Sequence, residues 1–151
     1  MPLFLILKLM SSPVSRSLYF ENSAGRIWEE AAGYLRLEYK PGPRDAVQFR
    51  AILTHLMQAM SRHRWSRAII DQRLMSPYTP PELAWMSDEW LPRAVHEHGY
   101  RYGAALVAHD VFARLAMNQF VLANRTLPHT YRSFETEETA VAWLESVDDR
   151  K

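Results

Sequence analysis

The spacing of apolar residues changes period several times along the chain, and each change marks an element. Leu18-Tyr19-Phe20 has strand chemistry, Asn22-Ser23-Ala24-Gly25 is a turn cluster, and Arg26-Ile27-Trp28-Glu29 returns, which predicts a hairpin. After Gly33, Tyr34-Leu35-Arg36-Leu37-Glu38-Tyr39 alternates with period two and puts Leu35, Leu37 and Tyr39 on one face until Pro41-Gly42-Pro43 stops it. From 44 to 62 the period becomes helical, with Phe49, Ile52, Leu53, Leu56, Met57 and Met60 in one stripe and Arg62 and Arg64 at its end. Ala68-Ile69-Ile70 is short and wholly apolar, as a buried strand is, and ends in Asp71.

The second half repeats this alternation. Thr79-Pro80-Pro81-Glu82 is a capping box with proline at the first helical position. The helix it opens carries Leu83, Met86, Trp90, Leu91, Ala94 and Val95. Pro92 is expected to kink or split it, and Gly99 to end it. Tyr102 to Ala108 is a second buried strand. His109-Asp110 caps a helix whose expected inner face is Phe112, Leu115, Ala116, Gln119 and Phe120. Thr130–Phe134 is a last strand. Thr136 opens a final helix, ending near Val147 and anchored by Ala140, Val141, Trp143 and Leu144. The resulting fold class is α/β: a mixed, mostly parallel sheet of about five or six strands with an antiparallel N-terminal hairpin and about four helices.

A length of 151 residues suits one domain, here residues 16–151, with residues 1–15 read as an apolar N-terminal tail. The opening run MPLFLILKLM is too short for a bilayer span, which takes about 20 residues, and lacks the basic start of a signal peptide. Neither cofactor nor metal is expected. The chain has no cysteine, which removes disulfides, thiolate metal sites and thiol catalysis. A cytoplasmic location is compatible with that. Net charge is +1, so nothing in the overall field selects nucleic acid or an anionic membrane.

Candidate chemistry concentrates where two strands end. Ligand sites of open α/β sheets lie beyond the carboxyl ends of the strands. There the sequence offers Asp71, Arg73, Ser76 and Tyr78 after one strand, His109 and Asp110 after another, and Trp85 on the intervening helix. These seven are the candidate ligand- or partner-binding residues; no catalytic residue is assigned. The structural alternatives are plain: Asp71 bonding loop amides or a nearby Arg, Asp110 an N-cap, His109 a loop residue. Ser76 has no nucleophile elbow around it. His96-Glu97-His98 lies two apart on a helix, so its imidazoles face different ways. Arg62-His63-Arg64-Trp65-Ser66-Arg67 alternates base and aromatic as nucleic-acid patches do, but sits at a helix terminus. No glycine-rich phosphate loop occurs.

The carrying residues Ile69-Ile70-Asp71-Gln72-Arg73, Thr79-Pro80-Pro81-Glu82 with Trp85, Trp90-Leu91-Pro92, Gly99-Tyr100-Arg101-Tyr102, Phe112–Ala116, Phe134 and Ala142-Trp143-Leu144 together resemble the STAS-like, SpoIIAA-like group, related to the CRAL-TRIO lipid-binding fold. The resemblance covers about residues 17–147. It implies a sheet with helices and a non-enzymatic role as an interaction module or ligand binder. Anti-sigma-factor antagonists of this fold carry a phosphorylatable serine shortly after a strand-end Asp; here Gln72-Arg73 follow Asp71 and the nearest serine is Ser76. Three functions compete. The first is a module for a protein partner, or for self-association, near Asp71–Tyr78. The second is a carrier of a small apolar or anionic ligand, suggested by Trp85, Met86 and Trp90. The third is a hydrolase using His109 with Asp71 or Asp110.

Overall fold

A computed structural model describes residues 15–147. Most of the expected N-terminal tail, and residues 148–151, lie outside the described residues. Ser15, counted with that tail, already accepts a hydrogen bond from the Ala31 amide at 2.9 Å.

Six strands form one sheet in sequence order: β1 (Arg16–Glu21), β2 (Gly25–Glu30), β3 (Tyr34–Tyr39), β4 (Arg67–Asp71), β5 (Tyr102–Leu106) and β6 (Thr130–Phe134). The first three pair antiparallel, and β3 to β6 pair parallel. The helices are α1 (Ala46–His63), α2 (Pro80–Trp85), α3 (Leu91–His98), α4 (Val111–Ala123) and α5 (Glu137–Ser146), with a π-helical turn, Met86–Trp90, joining α2 to α3.

Parallel strands added one after another in a single direction need crossovers of one hand, which brings their helices to one face. The main core accordingly lies between that face and α1, the α2–α3 segment and α4. Its sheet residues include Leu35, Leu37, Ala68, Ile70 and Ala105, and the entire α1 stripe is buried against them. Among the described helices only α5 lies on the opposite face, where Ala140 and Leu144 cover Tyr34, Ile69, Ala104 and Leu106.

Local signals acted as their chemistry dictates. Thr79 and Glu82 cap α2 reciprocally: the Glu82 amide donates to Thr79 and the Thr79 amide to the Glu82 carboxylate. Pro92 has no N–H and crowds the preceding turn. The chain widens into the π turn just before it, where the Leu91 amide reaches back to the Met86 carbonyl. Gly99 leaves α3 at φ 77°, a left-handed conformation that suits glycine.

One expectation holds only in part, since Ala116 and Phe120 are buried as expected and Phe112, Leu115 and Gln119 are not. On α4 the buried residues are Ala113, Ala116, Met117 and Phe120. Phe112 and Leu115 are exposed, as is Gln119. The helix is turned by about one residue, or ~100°, from the expected face, and Ala113, Ala116, Met117 and Phe120 join the main core.

Candidate functional site

Strands β4 and β5 are neighbours in register, Asp71 opposite Leu106, so their polar exits share one rim. The His109 amide donates to the Arg73 carbonyl at 3.1 Å and the Gln72 amide to the Leu106 carbonyl at 3.1 Å, which tie the two exit loops together. A cleft of about 380 Å³ opens there, lined by Arg26, Glu38, Tyr39, Lys40, Pro41, Asp71, Arg73, Leu74 and His109.

Asp71 is the hub of that rim. Its Oδ1 accepts from the Arg73 backbone N–H and Nε, and its Oδ2 from Arg73 at 2.8 Å and Arg36 at 3.2 Å. Burial would raise its pKa. The hydrogen bonds and charge of Arg73, together with the charge of Arg36, outweigh that and hold it below the ordinary carboxylate value. Arg36 is only 2% exposed and reaches three carboxylates: Glu38 at 3.3 Å, Asp71, and Glu137 at the start of α5 at 2.8 Å. Its Nε and Nη2 are thus committed to carboxylates within the protein. Arg73 is different: its side chain is 40% exposed while its inner edge is fixed on Asp71.

A second arginine shapes the loop after β4. Arg44 donates to both Glu82 oxygens, at 3.0 and 2.8 Å, and to the Ser76 and Pro77 carbonyls at 2.9 and 2.8 Å. It lies over the rings of Tyr39, Phe49 and Tyr78. This clamp folds residues 74–79 down and presents Leu74 to solvent, 62% exposed. Neither Arg36 nor Arg44 is evident from sequence as a site residue. Arg36 occupies the outer side of an alternating strand, and Arg44 belongs to a Pro-Gly-Pro-Arg turn.

The seven predicted residues therefore separate. Asp71, Arg73 and His109 line the cleft together. Asp110 lies beside it as the N-cap of α4, accepting from Phe112 and Ala113 amides at 2.7 and 3.1 Å. Ser76 is partly buried and offers its carbonyl to Arg44. Tyr78 is buried in the core, donating to the Tyr39 hydroxyl at 3.0 Å and accepting from Gln72 at 3.2 Å, so it has no surface to offer a partner. Trp85 packs on Phe49 and under Arg50 and lines a separate cleft against α1 with Asp88, Glu89 and Arg93.

The His109 dyad and an enclosed apolar pocket, two arrangements the sequence left open, are not formed among the described residues. The hydrogen bonds of Asp71 and Asp110 go to arginines and cap amides, and among the described residues neither carboxylate orients His109. The interior space among Leu37, Tyr39, Ile70, Trp90 and Phe120 is about 10 Å³, no more than one water molecule occupies. No helix among the described residues is long and apolar enough to cross a membrane.

No protein-family model matches the chain, and no curated protein matches it. Among solved structures, it is similar to an anti-sigma factor antagonist from Mycobacterium paratuberculosis, with a TM-score of 0.51 at 15% identity over 90% of this chain and 99% of that one. The chain thus has the STAS-like fold, with its six-stranded mixed sheet and antiparallel opening.

Proposed function

We propose that this chain is a non-catalytic, regulatory protein-interaction module that engages a protein partner at the Asp71–His109 rim. The observation that carries the reading is the display of Arg73 and Leu74 at the mouth of the cleft. A half-exposed guanidinium and an exposed leucine stand on a loop fixed from behind by Asp71 on one side and Arg44 on the other. Arginine is among the residues on which protein interfaces concentrate their binding energy, and holding it in place beforehand lowers the cost of binding. The solved structure of the same fold is that of a protein named for antagonism of another protein, an anti-sigma factor, which supports a regulatory interaction.

The test is crosslinking. A photoreactive residue at Leu74 in the full chain, expressed in its native host, should give a discrete crosslinked protein that Arg73→Ala removes. A residue at Val47, still more exposed but on α1, should not give that product. The same adduct from both positions, or none from Leu74, rejects the rim as the interface.

A further inference from the structure

Positive side chains among the described residues are answered unevenly. Arg62, Arg64 and Arg101 are exposed, and their side chains meet no carboxylate, carbonyl or aromatic ring among the described residues. The other described arginines, and Lys40, each meet at least one of these. All three stand where the chain enters parallel strands at their amino ends, Arg62 and Arg64 before β4 and Arg101 before β5. Arg64 and Arg101 line one cleft of about 630 Å³, with Trp65, Ser66, Glu97 and His98 also in its wall. The backbone fixes their relation. The Arg101 and Tyr102 amides both donate to the Ser66 carbonyl, at 2.9 and 3.0 Å, so the two entering segments lie side by side. Ser61 Oγ and His98 Nδ1, 2.6 Å apart, tie the end of α1 to the end of α3.

Arg64 also occupies a position that folding alone would give to another residue. It ends α1 in the left-handed conformation, φ 58° and ψ 40°. Glycine suits that place, and Gly99 fills the equivalent one at the end of α3. Among the described residues Arg64 is the one non-glycine residue with positive φ. A conformational cost borne by an arginine whose side chain bonds to nothing points to a use for that side chain. The local charge remains positive after its opponents are counted. Glu97 is paired with Arg93 at 3.7 Å. The carboxyl ends of α1 and α3 bring about half a negative charge each, less than Arg62, Arg64 and Arg101 supply together.

We propose that the cleft between the ends of α1 and α3 binds a phosphoryl group carried on a side chain of a partner protein, held between Arg64 and Arg101. Two guanidinium forks match a dianion with three acceptor oxygens. Exposed ion pairs hold little by themselves, so inorganic phosphate binds weakly here. A phosphorylated chain adds contacts of its own against Trp65 in the cleft wall. Glu97 in the same wall opposes a second phosphate, which sets the site against the repeated charges of a nucleic-acid strand. The choice of a protein as bearer rests on the reading of the chain as a protein-interaction module. The phosphoryl chemistry does not depend on the Asp71–His109 rim, which lies at the opposite ends of the same strands.

Two labelled peptides of alanine and glycine, one with a central phosphoserine and the other with serine, test this on the full chain. Fluorescence anisotropy should show the phosphoserine peptide binding at least ~10-fold more tightly than the serine peptide. Inorganic phosphate should displace it only at higher concentration. Arg64→Gly and Arg101→Gln should each weaken it at least ~10-fold. Arg64→Gly should at the same time leave Tm unchanged or raise it, since glycine suits the left-handed position, so lost binding is not lost folding. The crosslink from Leu74 reads the rim alone, and the two surfaces therefore fail separately. Equal binding of the two peptides, or binding indifferent to Arg64 and Arg101, overturns the proposal. So does displacement of the phosphoserine peptide by single-stranded RNA at lower concentration than by the unlabelled peptide, which would give the cleft to nucleic acid. Binding that appears only when Asp148→Asn and Asp149→Asn are combined overturns it as well, by giving the arginines to the chain's own acidic residues.

Discussion

Buried polar groups gather at both ends of the parallel strands, and the two ends satisfy them in opposite ways. At the carboxyl ends Arg36, Asp71, Arg73 and Glu137 form a chain in which each charge meets its opposite. At the amino ends Tyr100, His129 and Tyr131 pack ring against ring, with centroids 4.2, 4.3 and 5.9 Å apart. There the Tyr100 hydroxyl and His129 Nε2 are buried with no hydrogen-bond partner among the described residues. A paired cluster can remain charged and project one member, Arg73, into solvent. An unpaired cluster must remain neutral, and contributes shape. On the proposed reading, the charged cluster serves recognition and the neutral cluster serves packing.

The largest effect should come from breaking the paired end at its buried member. Arg36→Ala leaves Asp71 and Glu137 facing each other across an unfilled space in the α5 layer. Removing one partner of a buried ion pair costs about 3–5 kcal/mol, and chemical denaturation should show a loss of that size. Arg36→Met, which refills the space, should recover only part of it.

The unpaired end should break next, and by shape. A Cβ placed on Gly103 would lie 2.4 Å from a ring carbon of Tyr131 and 2.5 Å from the Tyr100 hydroxyl. Both rings are held by their neighbours, so Gly103→Ala should cost about 1–3 kcal/mol, the range for overpacking a core. A thermal melt should register it as a lower Tm.

Much of this was legible in the chain. The hairpin, the alternation of β3, the α1 stripe, the Thr79 box and the Pro92 break rest on contacts within a few residues, and the structure shows each of them. What sequence left undetermined depends on distant partners. Arg36 looks like the solvent side of β3 until α5, 101 residues later, closes over it with Glu137. Tyr78 looks like part of a polar corner until Tyr39 and Gln72 draw it inward. On α4 apolar residues occur on nearly every side, so periodicity alone could not choose the buried face, and the choice fell on the exposed Phe112 and Leu115. That error has one origin: a helix with more apolar surface than the core takes up.

The amino-end cluster also makes a pH prediction. Burial pushes the His129 pKa down to about 3, against an ordinary 6.5. The unfolded chain therefore binds a proton at this residue below pH 6.5 that the folded chain refuses until about pH 3. Stability from this group is complete above pH 6.5 and falls as the pH is lowered through that window. By pH 5 the loss should be about 1–2 kcal/mol. His129→Phe should flatten the stability profile between pH 6.5 and 5, a range above the ordinary titration of carboxylates. A profile equally steep in the variant would show that the slope arises elsewhere.

The smallest stability change should come from Arg73, and it is the one that separates the two roles of the rim. Arg73 and Arg36 share Asp71 Oδ2, yet one is 40% exposed on its side chain and the other 3%. Water can replace most of what Arg73 gives Asp71, so Arg73→Ala should cost less than about 1 kcal/mol, as exposed ion pairs do. Asp71 would still keep Arg36. A double-mutant cycle sharpens the contrast. With Arg36 already removed, Asp71 depends on Arg73 alone, and Arg73→Ala should then cost measurably more than it does in the wild type. Additive losses would mean that the two arginines do not act through the shared carboxylate. Coupled losses, with the crosslink from Leu74 absent in Arg73→Ala alone, would assign stability at this rim to the arginine beneath and recognition to the one above.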